Sequence, residues 1–381
     1  MVYVTMMQVP RTRQITLEEI LDHEIDVSAF QRHNGPITGT VTTMLKEVPE
    51  RLLRTIDIDR LIDILESFYQ KYKALACCQR ESLYSTFHIP KKSGGLRTIN
   101  APCDELMGAL RELKMIFESD FFALYHTSAF AYIPNRQPAD ALRRHQANGS
   151  KWFLKIDFSN FFGSTTPDFL FSMLARIFPF SEVARVDRGE KALRNALDLC
   201  FLNGGLPQGT PISPMLTNLM MIPIDHRIAN DLHDGRFIYT RYADDINISS
   251  SFDFNYIDKV NYISKVLSEF QAPFEINCRK THYGSSAGSN WSLGLMLNKD
   301  NNITIGWKNV ERFKAMCHSY ITDRLNGRGW DRYDIQKFNG LISYYCSIER
   351  DYINHIINHY NQKYHVNLKM MIREDLSGHG R

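Results

Sequence analysis

The sequence predicts an α+β protein, with an antiparallel sheet and helices packed behind it. Three observations point there. Short apolar runs alternate with amphipathic helical stretches through the centre, two apolar runs flank a tight acidic turn at Asp244-Asp245, and both ends show helical periodicity. The 381 residues, 44% of them hydrophobic, can bury a large core. Length of that order suggests about two or three globular units.

The elements follow in order. Ile58, Leu61, Ile62, Leu65 and Phe68 recur at helical spacing behind a capping Asp57 or Asp59. Phe87-His88-Ile89 and Leu96-Arg97-Thr98-Ile99 read as a hairpin whose tip, Lys91-Lys92-Ser93-Gly94-Gly95, is basic. A helix spans about 105–117. Lys151 to Asp157 is a buried strand, and Thr166-Pro167 starts a helix that runs to Ile177. Helices follow at about 191–201 and from Ser213-Pro214, the latter kinked at Pro223. Strands at 237–242 and 246–250 enclose Asp244 and Asp245. Next comes an amphipathic helix presenting Ile257, Val260, Ile263, Leu267 and Phe270. Short strands at 274–277, 291–297 and 303–306 precede C-terminal helices.

Composition narrows the class. The net charge of +3 is too small to announce a nucleic-acid partner globally, so any such contact must come from local basic grooves. Seven scattered cysteines without a CxxC pair read as reduced thiols of a cytoplasmic protein. No basic-then-apolar leader and no membrane-length apolar run is visible, so no membrane partner is expected.

Asp157 ends a hydrophobic strand, and Asp244 and Asp245 sit between two more. Carboxylates converging in this way suit Mg²⁺, which takes oxygen ligands. Two such ions can serve an in-line displacement at phosphorus. An Asp-Asp pair alone is ordinarily a solvated turn, and a strand-ending Asp a cap. Context decides between these readings.

Tyr242-Ala243-Asp244-Asp245 resembles the YxDD box of reverse transcriptases, Lys155 to Phe162 their first catalytic block, and Leu206-Pro207-Gln208-Gly209 through Pro214 the LPQG…SP segment between them. All three stand in the family's order, and the resemblance runs from about Ile89 to Gly306. It implies the right-hand polymerase fold: an N-terminal helical extension (1–83), fingers (84–150), a palm with antiparallel sheet and interleaved fingers helices (151–307) and a helical thumb (308–381). It implies two Mg²⁺ ions, with Mn²⁺ as a substitute, held by Asp157, the backbone carbonyl of Phe158, Asp244 and Asp245. It further implies nucleotide contacts from Lys91, Arg97, Phe162, Gln208 and Lys280, with Phe162 excluding ribose, and a primer grip at Gly294 and Leu295 within Trp291-Ser292-Leu293-Gly294-Leu295. Rival readings are a solvated hairpin for Lys91 and Arg97, a strand-end charge for Lys280, core packing for Phe162 and a structural glycine at Gly294. His355 and His359 lack a third zinc ligand, and Tyr344, Tyr345, Tyr352 and Tyr360 suit core packing better than base stacking.

Within the family, the motifs look most like bacterial retron and defence-associated enzymes. Where retrons usually carry NAxxH and VTG, this chain has Ala139-Asp140-Ala141-Leu142-Arg143-Arg144-His145 and Ser292-Leu293-Gly294. That favours a related RNA-directed DNA polymerase of antiphage defence, with a retron proper second and a group II intron enzyme third. No block for a ribonuclease H, protease, integrase or endonuclease is seen. The partners implied are an RNA template, a small noncoding RNA, together with a DNA product and dNTPs. A homo-oligomer or a partner effector protein stays open. So do a template-independent or protein-primed polymerase and a non-catalytic RNA-binding scaffold. Phosphate contacts are expected from Lys91, Lys92, Arg97, Arg136, Arg143, Arg144 and C-terminal cations.

Overall fold

The computed structural model describes residues 12–14, 55–90, 94–233, 235–286 and 294–378. Lys91, Lys92, Trp291, Ser292 and Leu293 lie outside them. The described chain forms two compact units. One takes the residues up to Arg136, Ile156–Ile246 and Asn255–Thr281; the other takes Gln137–Lys155, Asn247–Phe254 and the residues from His282 onward.

In the first unit, β1 (Thr12–Gln14) pairs antiparallel with β2 (Thr55–Asp57) ahead of helix α1 (Ile58–Ala76). Asp57 caps α1 by accepting from Arg60 N at 3.1 Å. The predicted stripe from Ile58 to Phe68 is buried, each side chain contributing on the order of 1.5–3 kcal/mol. The hairpin is present as β3 (Tyr84–Pro90) and β4 (Leu96–Pro102), with Ile89 opposite Arg97 and Phe87 opposite Ile99. Helix α2 (Asp104–Ser119) buries Leu106, Leu110, Leu113 and Phe117.

Strand β5 (Trp152–Ser159) contributes residues to both units, as does β7. It leads into the single turn α4 (Phe161–Ser164), numbered after α3 (Pro138–Ala147) of the second unit. Helix α5 (Pro167–Leu174) is capped by Thr166 but stops short of Ile177. Ahead of Pro179 the chain tightens, with Arg176 N on Met173 O and Ile177 N on Leu174 O. After α6 (Phe180–Ala184), α7 (Asp187–Asp198) begins earlier than expected, with Asp187 and Glu190 in its first turn. The helix from Ser213 is broken, not kinked. It divides at Met221 into α8 (Ser213–Met220) and α9 (Ile222–His233), because Pro223 has no N–H to offer Leu219 O.

Strands β6 (Ile238–Tyr242) and β7 (Asp245–Ser250) form the acidic hairpin, whose turn is Ala243-Asp244; Asp245 opens the strand. Helix α10 (Tyr256–Glu269) buries Ile263, Val266 and Leu267, while Ile257 stays 53% exposed. The sheet runs β6-β7-β5-β8, where β8 is Glu275–Ile276. An unexpected β9 (His282–Ser285) pairs antiparallel with the N-terminal half of β5.

The second unit is mainly helical. β10 (Met296–Leu297) and β11 (Ile303–Thr304) pair across a turn in which Asn298 Oδ1 accepts from Asp300 N and Asn302 N. Helices α11 (Trp307–Leu325), α12 (Arg332–Ile348), α13 (Arg350–Tyr364) and α14 (Leu368–Gly378) share a core with Phe313, Phe338 and Ile353 fully buried. Tyr345 is buried in that core, and Tyr344 and Tyr360 pack against it, whereas Tyr352, also expected in the core, is 45% exposed. No helix among the described residues is long and apolar enough to cross a membrane.

Candidate active site

Every residue of β5 from Ile156 to Phe158 is buried, so Asp157 emerges from a strand covered on both faces and is itself only 7% exposed. Asn277 N donates to its backbone carbonyl at 2.8 Å, and Phe158 pairs with Ile276 of β8. The Phe158 ring stacks on Phe161 and Phe274, at 5.8 and 5.6 Å between centroids. Phe158 N donates to the carbonyl of Asp244 at 3.3 Å, which fastens the strand carrying one carboxylate to the turn carrying the others. Ala243, between Tyr242 and Asp244, has φ +57°. Few non-glycine residues adopt that conformation, so this turn is held by its surroundings.

Lys280 Nζ lies 2.8 Å from Asp157 Oδ1. Its pKa is raised by that hydrogen bond first, and by the charges of Asp157, Asp244 and Asp245 as well. Asp244 is pushed above the usual carboxylate range, by burial first and then by the negative charges of Asp245 and Asp157. Asp157, Asp244, Asp245 and Lys280 therefore form one electrostatic cluster. Among the described residues, no three His, Cys, Asp or Glu side chains stand close enough together to hold a metal ion as placed. The donors are nonetheless hard carboxylate oxygens, and that suits divalent cations.

Phe162 is 9% exposed. Its carbonyl accepts from Leu206 N at 3.0 Å, and its ring meets the edge of Tyr132 at 6.4 Å. Tyr132 is 53% exposed, and its pKa is raised by desolvation first, then by the charges of Asp244 and Tyr242, while Arg97 lowers it. Phe162 thus differs from Phe161, which packs on Phe158 and Phe274 in the core.

Glycines let the LPQG segment approach. A Cβ on Gly205 would stand 2.2 Å from Gly163 O, and one on Gly209 2.7 Å from Asn100 O and 2.9 Å from Ile99 Cγ2. Gln208 O accepts from Asn100 N at 2.7 Å. Arg97 shares a strand face with Ile99, so the hairpin cation and the Gln208-Gly209 segment lie on one side of β4. In the second unit, Gly294 has φ +89° and the Leu295 side chain is buried in the hydrophobic core, so only the backbone there is free to grip anything.

Of the expected phosphate contacts, Arg136 is committed elsewhere, while Arg143 stays more than half exposed. Arg136 Nη1 donates to the carbonyls of His126, Thr127 and Ala129 at 2.9, 3.3 and 2.5 Å. Arg143 is paired with Asp140 at 2.5 Å. Sequence reasoning also missed Tyr132, which carries no motif, and the buried ion pair of Arg241 with Asp225. Its signal was a lone Arg in an apolar strand, since a buried charge requires a partner.

The family described as reverse transcriptase (RNA-dependent DNA polymerase) matches residues 89–311, more than half of the chain. The chain belongs to the reverse transcriptase family. Its α+β palm-type sheet and helices are accordingly those of a right-hand polymerase. This reverse transcriptase is 25% identical over 317 residues to the retron Ec83 reverse transcriptase of Escherichia coli, covering 81% of this chain and 96% of that one. It is 27% identical over 320 residues to the retron Mx65 reverse transcriptase of Myxococcus xanthus, covering 81% and 68%. Among solved structures it resembles an apo telomerase from Candida Tropicalis truncated from its C-terminal domain, with TM-score 0.41 and 14% identity over 64% of this chain and 60% of that one. A Candida albicans telomerase in complex with a fragment of telomeric RNA gives TM-score 0.43 and 15% identity over 79% and 64%.

Proposed function

We propose that this reverse transcriptase makes DNA from dNTPs on a noncoding RNA, with Asp157, Asp244 and Asp245 as its catalytic carboxylates. The observation carrying this is the convergence of the three carboxylates: Phe158 N on the Asp244 carbonyl ties the strand of Asp157 to the acidic turn, and Lys280 Nζ stands 2.8 Å from Asp157 Oδ1 within the field of Asp244 and Asp245. Asp157, the Phe158 carbonyl, Asp244 and Asp245 would hold two Mg²⁺ ions, or Mn²⁺. Bound there, divalent cations stabilise charge on the attacking and leaving oxygens of phosphoryl transfer. Lys280 holds Asp157 in place and, more than half exposed at its side chain, is free to turn toward a triphosphate. Arg97 offers a guanidinium fork to the same phosphates. Phe162, with Tyr132 at its edge, bounds the sugar. The fingers, palm and thumb are assigned as 84–150, 151–307 and 308–381. A role in antiphage defence is supported by the motif resemblance.

Primer extension on the co-purifying RNA, with product sequencing, tests this reading. Asp244→Asn should lower incorporation by orders of magnitude. It should also raise the melting temperature of the metal-free protein at neutral pH, because it removes a charge that Asp245 and Asp157 repel. Near-normal incorporation by Asp244→Asn would overturn the assignment. Product unrelated in sequence to the RNA would point to template-independent synthesis.

A further inference from the structure

The turn that carries Asp244 and Asp245 is braced from behind by a charge pair with no access to water. Arg241 and Asp225 are both fully buried, on β6 and α9. Arg241 meets the carboxylate as a fork, Nε to Oδ1 at 2.8 Å and Nη2 to Oδ2 at 2.7 Å. Tyr239 OH donates to the same carboxylate at 2.6 Å. The remaining guanidinium nitrogen, Nη1, donates to the carbonyl of Ala243 at 3.0 Å and to Asn218 Oδ1 at 3.3 Å. Ala243 is the residue held at φ +57° immediately before Asp244.

We infer that Arg241, locked by Asp225, is a positioning residue for the acidic turn: it fixes the Ala243 peptide and thereby the direction in which Asp244 leaves the sheet. This rests on the assignment of Asp244 and Asp245 as catalytic carboxylates.

Three features separate this from ordinary core packing. Stability alone does not call for an ion pair at this site, since apolar residues of similar volume commonly replace a buried pair without loss. The planar fork leaves one nitrogen aimed past the carboxylate, a geometry that lysine cannot reproduce while keeping both contacts. The shorter of the two bonds from that nitrogen ends on the one left-handed residue of the turn, 3.0 Å against 3.3 Å to Asn218 on α8. The network also reaches the far side of β6. Asn218 Nδ2 donates to Ala131 O at 2.8 Å, and Arg241 exchanges backbone bonds with Ser128 and Phe130, at 2.7 and 2.9 Å. One guanidinium thus ties the catalytic turn to the loop that leads into Tyr132.

The test replaces the pair as a whole. In Arg241→Met/Asp225→Leu/Tyr239→Phe no buried charge is orphaned, so the protein should melt at or above the wild-type temperature and bind template–primer with unchanged affinity. Its kcat should fall about 100-fold, the scale set by a misplacement on the order of 1 Å. Its affinity for Mn²⁺, followed by electron paramagnetic resonance without nucleotide, should weaken about tenfold or more. Arg241→Lys, which keeps the charge but not the fork, should lower kcat and Mn²⁺ affinity in the same direction with KM for dNTP unchanged, and it decides the matter if the triple variant does not fold. Wild-type kcat and Mn²⁺ affinity in a folded variant would overturn the inference. Asp244→Asn measured alongside keeps the two claims apart. If Asp244→Asn is inactive while the triple variant is fully active, only the positioning role fails. If Asp244→Asn is itself active, the catalytic assignment fails first.

Discussion

His145, in the last turn of α3, is buried with Nδ1 2.6 Å from Ser249 Oγ. Burial pushes its pKa down from 6.5 to about 3, with the nearby Arg144 charge second. An unfolded chain therefore takes up a proton near pH 6.5 that the folded chain refuses until about pH 3. The stability that neutral His145 contributes is complete above pH 6.5 and is lost progressively as pH falls toward 3. At about 1.4 kcal/mol per pH unit, this single group should cost the protein roughly 2 kcal/mol between pH 7 and pH 5. Urea melts of wild type and His145→Gln at the two pH values should show a slope flatter in the variant by that amount; equal slopes would mean that the imidazole is charged in the fold. Phe162 invites a different comparison. Truncation to Ala should raise ribonucleotide use against deoxynucleotide in competition on one template. A purely structural residue would instead lose roughly 3–5 kcal/mol of stability with sugar preference intact. Asp157, Asp244, Asp245 and Phe162 stand out as candidates because each sits inside a contiguous motif. The Arg241–Asp225 pair does not, because its partners come from a strand and a helix whose meeting is a tertiary event.

Elements were legible where period and punctuation agreed, as in α1 with its Asp57 cap and in the β3–β4 hairpin. They were lost where neither was strong. His282-Tyr283-Gly284-Ser285 has no apolar alternation, so β9 becomes a strand only because β5 offers its edge. Pro223 was read as a kink, whereas the helix breaks at Met221. Adjacent glycines give a test at this scale. Gly204 has φ +77° but open space around it, so Gly204→Ala should cost only the backbone strain, about 1–2 kcal/mol. Gly205 would drive a Cβ into Gly163 O at 2.2 Å, and backbone cannot yield as a side chain can. Gly205→Ala should lower the melting temperature further than Gly204→Ala, and it should also reduce incorporation, since Leu206 N holds the carbonyl of Phe162. The reverse ranking would mean that α4 and the LPQG segment are not docked on each other.

For the molecule as a whole, a net charge of +3 leaves nucleic-acid binding to a few local cations. Affinity for template–primer should fall steeply with salt, by about 0.9 in log–log slope for each phosphate neutralised on a duplex. Arg97→Ala should reduce that slope by about one. Arg136→Ala should leave it unchanged and lower the melting temperature, because that guanidinium is committed to the carbonyls of its own loop. A slope change in Arg136→Ala with no loss of stability would reverse this division of labour. The interleaving of the two units also has a consequence for synthesis. The unit that holds Asp157 and Asp244 is assembled from separate stretches, the last being Asn255–Thr281. A ribosome adding roughly 5–20 residues per second therefore takes about 6–24 s to pass from the end of β5 to Thr281, and over that time β5 lacks its β8 neighbour. Until Thr281 has left the exit tunnel, Asp157 has neither Asn277 N on its carbonyl nor Lys280 at its carboxylate, so this centre is among the last parts of its unit to be completed as the chain is made.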